Sequence, residues 1–110
     1  MSVRHPELAA GRWTTMPFIS QMANVGSEVE RALKRRESGE VKSCMLAFDR
    51  AIELLELTIA DERNRDRVGE LARAREVLAD NLAGENTYRT TDEFWRKYFG
   101  AFAWAARWKT

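Results

Sequence analysis

Apolar residues recur along this chain with the period of an α-helix, in four separate stretches. In the first, Phe18, Met22, Val25, Val29 and Ala32 follow at steps of four, three, four and three, which places them on one helical face. Thr14 and Thr15 precede this stretch as candidate N-caps, with Pro17 where a first-turn proline is tolerated. Gly39 follows Lys34, Arg35 and Arg36 as a left-handed stop. The second stretch runs from near Glu40 to Ala60, with Val41, Cys44, Phe48, Ile52, Leu55 and Ile59 on one stripe. Leu46, Leu54 and Leu57 fall on the other side of that helix. A helix apolar on two sides is central or lies in a subunit interface.

After the charged turn Asp61–Asp66, a third stripe (Val68, Leu71, Ala74, Leu78, Leu82) stops at Gly84. A fourth begins at a capping box, Thr90 to Glu93, and carries Phe94, Trp95, Tyr98, Phe99, Phe102 and Ala105. Strand-type alternation and internal repeats are absent. Short connections between long helices favour antiparallel neighbours. The pattern predicts an all-α, up-and-down four-helix bundle over residues 13–110, preceded by a flexible N-terminal arm at 1–12 whose base Trp13 pins. Gly26 sits inside the first helix, where glycine costs up to ~1 kcal/mol relative to alanine. It predicts a close helix approach, most simply against the two-sided second helix.

At 110 residues the chain is one domain and large enough for a core without a staple. Lys and Arg number 18 against 17 Asp and Glu, so bulk charge does not announce nucleic acid or an acidic membrane. Binding of either kind must come from local patches. The lone Cys44 excludes an internal disulfide and a multi-thiolate zinc site. No apolar run approaches a membrane span, and the first residues lack a signal-peptide core. A cytoplasmic protein with no membrane partner is the expectation.

Few residues offer chemistry. His5 is the only histidine and lies in the arm, so no Ser-His-Asp or Cys-His relay assembles on rigid elements. No catalytic residue, cofactor or metal is expected, and the chain leans toward a non-enzyme without deciding the question. Arg75 interrupts the third apolar stripe; either its head snorkels to water or it is buried against Glu28, Glu53 or Glu56. Glu53 and Glu56, with Glu76 and Asp80, resemble in part the paired ExxE and ExxD motifs of all-α nucleoside-triphosphate pyrophosphatases. One residue too many separates Glu76 from Asp80 for the second motif. The arginine-to-histidine motif of the helical HEPN ribonucleases is absent from the helices.

Gln21, Asn24, Glu28, Arg31 and Arg35 form a polar stripe on the first helix, read as a solvated face or a partner surface. Trp104 and Trp108 lie one turn apart and off the core stripe of the last helix. They pack under the arm or fill an interface, where Trp is enriched. With Arg107 and Lys109, and with the cluster Arg31, Lys34, Arg35 and Arg36, they also offer a basic-aromatic site for RNA or single-stranded DNA.

Two strings, Gly11–Ala32 and Ala47–Ile59, resemble a group of small helical proteins in bacteria and archaea to which no activity attaches. The similarity runs from Trp13 into the last helix. It supports the boundaries and brings no chemistry. The preferred expectation is a helical interaction module, a homo-oligomer or an accessory subunit, with Leu46, Leu54, Leu57, Trp104 and Trp108 making contacts. A nucleic-acid accessory protein and a Mg²⁺-dependent pyrophosphatase are the alternatives.

Overall fold

The computed structural model describes residues 11–109, without the side chain of Lys109. Most of the arm assigned to residues 1–12 lies outside the described residues; 11–13 are helical. All regular structure among the described residues is helical: α1 (Phe18–Glu37), α2 (Val41–Ala60), a 3₁₀ segment (Glu62–Arg67), α3 (Val68–Ala83) and α4 (Asp92–Lys109). The four apolar stretches therefore became the four long helices.

The ends of those helices differ from the sequence reading in two places. The hydroxyls of Thr14 and Thr15 bond back to the carbonyls of Gly11 and Arg12, so they close the preceding turn and Pro17 itself is the N-cap of α1. At α4 the cap is Thr91, whose hydroxyl accepts from the Phe94 amide at 3.0 Å. Thr90 is drawn off by Asn81, whose amide reaches both its carbonyl and its hydroxyl. Gly39 takes the left-handed conformation expected of it, with φ 75°.

The packing order is α4–α1–α2–α3. α1 is the central element, and α2 lies between α1 and α3. Met22, Val25, Val29 and Leu33 of α1 are fully buried, together with Leu55 of α2, Leu71 and Leu78 of α3, and Trp95 of α4. Burial of such side chains contributes roughly 1.5–3 kcal/mol each. α1 and α4 run antiparallel, because Arg36 meets Asp92, Glu30 meets Arg96 and Phe18 meets Phe102. Gly26 marks a close approach, but to α4 and not α2. A Cβ there would lie 2.7 Å from the Phe99 Cβ. α3 and α4 share few close backbone approaches, and the Tyr98 hydroxyl bridges them by donating to Glu70.

Candidate interaction surface

Two polar knots sit at opposite ends of the bundle, and both serve the fold. The first joins four segments. Gln21, wholly buried on α1, donates through its Nε2 to the Trp13 carbonyl and to Asp61 Oδ2, at 2.9 and 2.8 Å. Its Oε1 accepts from Asn64 Nδ2, which also donates to the Thr58 carbonyl, both at 2.9 Å. The Trp13 indole N–H donates to Thr58 Oγ1 at 2.9 Å, so Trp13 seats on the end of α2. Arg63 closes the knot from outside, its guanidinium donating to Asp61 and to the Met16 carbonyl. The Arg63 side chain, aided by Gln21 and the Arg63 amide, holds the Asp61 carboxyl well below the usual carboxylate range, although burial opposes this.

The second knot closes the α3–α4 connection. Asp80 accepts from the amides of Thr87 and Tyr88, which keeps its carboxyl ionised to lower pH than usual despite opposing desolvation. Arg36 reaches across from α1 to Asn81 and Asp92. The Tyr88 hydroxyl donates to Glu76, beside Arg73. Glu76 and Asp80 are thus spent on the loop. No group of three or more potential metal-ligating side chains able to hold an ion occurs among the described residues.

Arg75 does find Glu56, at 2.7 Å, but the pair lies at the surface, with side-chain exposures of 46% and 41%. The buried-pair reading is thereby corrected: the arginine stem crosses the stripe and its head reaches water. Exposed pairs of this kind contribute about 0–1 kcal/mol. Glu28 is half-buried and bonds Arg31, and Glu53 is half-buried. Gln21, read with Asn24 as part of a polar stripe that is a solvated face or a partner surface, is instead a core residue. A long polar side chain on a buried face gives no periodic signal.

The nucleic-acid candidates do not form one patch. Arg31, Arg35 and Arg36 are matched with Glu28, Glu40 and Asp92, and with Lys34 they stand near the end of α1 that meets the start of α4. Arg107, Trp104 and Trp108 belong to the other end, on the order of 20 Å away at 1.5 Å per helical residue. The Lys109 side chain lies outside the described residues.

The interface candidates divide between α2 and α4. Leu46 on α2 is 66% exposed, whereas Leu54 and Leu57 are half-buried against the core. On α4, Trp104 and Trp108 are 66% and 68% exposed, with ring centroids 6.1 Å apart. At 100° per residue they project opposite Trp95 and Phe99, which fill the core. Among the described residues, a cleft of about 360 Å³ lies between α1 and α4 and another of about 220 Å³ between α1 and α2. Neither includes either exposed tryptophan. The buried Trp95 indole N–H has no hydrogen-bond partner among the described residues, an omission worth about 1–3 kcal/mol. No helix is long and apolar enough to cross a membrane among the described residues. No family model, curated protein or solved structure matches the chain.

Proposed function

We propose that this chain is a non-catalytic interaction module: an up-and-down four-helix bundle that makes contacts through exposed apolar side chains on α2 and α4, as a self-associating or accessory subunit. It belongs, in this reading, with the small helical bacterial and archaeal proteins it resembles. The observation that carries the proposal is the tryptophan pair on α4, about two-thirds exposed and turned away from the core. Large side chains of this type are costly to leave in water, and clustered exposure marks contact sites. Leu46 supplies a second apolar point on α2. Of the polar groups that resembled chemistry, Asp80 and Glu76 are engaged in loop closure, and Arg75 and Glu56 in a surface pair.

Light scattering after size exclusion tests self-association. The wild type at high micromolar concentration is expected to exceed its 12.7 kDa monomer mass. Leu46→Asp or the double variant Trp104→Ala/Trp108→Ala should return it to that mass with unchanged helicity. A wild-type monomer across that range removes self-association.

A further inference from the structure

From the arginines that line the cleft between α1 and α2, we infer that this cleft binds an oligophosphate group, the linked phosphoryl chain of a small di- or triphosphate. The site is separate from the tryptophan pair on α4.

Arg31 and Arg35 of α1 and Arg50 of α2 all line this cleft, with Ser43 and Leu46 on the α2 wall and Glu28 as its one carboxylate. The short turn between α1 and α2 folds the second helix back along the first, which sets Arg35 level with Ser43 and Glu28 level with Arg50. The three cations therefore spread over roughly 10 Å of groove, at 1.5 Å per helical residue.

These arginines use little of their hydrogen-bonding capacity. Arg36, Arg63, Arg75 and Arg96 each make two or more hydrogen bonds to protein acceptors elsewhere in the fold. Arg31, by contrast, donates from Nη1 alone, to the two Glu28 oxygens. Arg35 comes no nearer to Glu40 than 3.6 Å, too long for a hydrogen bond. Arg50 is exposed and makes no ion pair among the described residues. Each guanidinium carries five N–H donors in a planar fork and no acceptor, so the cleft presents unspent cationic donors from both walls.

The chemistry that takes up such donors is a phosphoryl chain. A lone carboxylate is satisfied by one guanidinium, as Glu56 is by Arg75. A phosphoryl chain has oxygens on several sides and can accept forks from α1 and α2 together, with the Ser43 hydroxyl as a neutral donor. Glu28 opposes the anion but is spent in part on fixing Arg31. At about 220 Å³ the space is smaller than the roughly 300–1,000 Å³ that encloses a whole small molecule, so it holds the anionic group and leaves the remainder outside. A nucleic-acid strand needs base-stacking faces beside its phosphates, whereas the apolar residues lining this cleft are aliphatic.

Isothermal titration of the full chain with sodium tripolyphosphate tests this. Saturable binding is expected, and Arg35→Ala and Arg50→Ala should each weaken it roughly tenfold, the loss for one charge-assisted hydrogen bond. Arg65→Ala removes an exposed cation from the 3₁₀ segment and should change it less than about twofold, because distant surface charges are screened. Glu28→Gln should tighten binding. Inorganic phosphate should bind at least about tenfold more weakly than tripolyphosphate, having fewer oxygens to accept the three forks. Circular dichroism confirms that the variants fold. Absence of tripolyphosphate binding, equal losses from Arg50→Ala and Arg65→Ala, or no tightening by Glu28→Gln overturns the inference. So does an oligoglutamate peptide or a single-stranded RNA oligomer that binds through Arg35 and Arg50 more tightly than tripolyphosphate, since the ligand is then an acidic protein or a nucleic acid. Any of these results leaves the light-scattering test of self-association untouched.

Discussion

Replacing Gln21 with leucine removes the centre of the first polar knot while keeping approximate volume. The wild-type amide makes three hydrogen bonds, to the Trp13 carbonyl, to Asp61 and from Asn64. Two neutral bonds contribute about 0.5–1.5 kcal/mol each, and one to a charged acceptor about 1.5–3. Some loss is recovered, because Asn64 keeps the Thr58 carbonyl, Asp61 keeps Arg63, and Trp13 still accepts from the Met16 amide. Leucine also gains by burial. The balance is a destabilisation of about 3 kcal/mol, a large part of the roughly 5–15 kcal/mol that holds a domain this size. Urea denaturation followed by circular dichroism measures it, with the slope unchanged if the unfolded state is unaffected. The melting temperature should fall by on the order of 15 °C. In a double-mutant cycle with Asn64→Leu, the pair should cost less than the sum of the singles, since neither partner is then left waiting. A Gln21→Leu cost below about 1 kcal/mol, or a coupling near zero, refutes the claim that this amide organises the knot.

Gly26→Ala gains helix propensity but drives a methyl group into Phe99, so a net loss of about 1–2 kcal/mol is expected by thermal melting. Asp61 has a folded-state pKa below its ordinary 3.8, so its contribution is present above that value and drains as pH falls below it. Acid unfolding of Asp61→Asn should accordingly be flatter below pH ~4 than that of the wild type. The Tyr98 hydroxyl is pushed up to about 12 by burial first, then by the Glu70 charge and the hydrogen bond to it, from an ordinary 10.0. Its raised pKa favours the fold below 10 and that advantage is lost as pH rises through 12; near-UV absorbance titration should show one of the two tyrosines in this late range, moved earlier by Glu70→Gln.

The elements were legible in the sequence because helical period, glycine stops and charge-rich turns all coincide at the same boundaries. What could not be read was pairing. Gly26 reports that something comes close, yet the close neighbour is Phe99 on α4, 73 positions onward, and nothing local to Gly26 distinguishes it from a residue of α2. Thr90 and Thr91 are both competent caps, and Asn81 decided between them from another helix. Glu28, Glu53 and Glu56 were all open to Arg75 from the sequence, and both the choice of Glu56 and the exposure of the pair depended on how α2 and α3 stand at that level. For the contact surface, Trp104 and Trp108 were visible from their place off the stripe. The seating of Arg67 over Phe18, itself packed on Phe102, arises only when the 3₁₀ segment folds beside α1 and α4.

The first polar knot also has a use in tracing ancestry. Helical cores tolerate exchange among leucine, isoleucine, methionine and valine, so apolar positions drift and lose their signal with divergence. A satisfied constellation of Trp13, Gln21, Thr58, Asp61 and Asn64 tolerates little, because each substitution strands a neighbour. Distant homologues should therefore retain a sparse fingerprint: tryptophan and glutamine eight apart, then threonine, aspartate and asparagine at successive steps of three. A search keyed to those five letters, blind to the greasy positions between them, is the route to kin that overall similarity leaves unrecognised.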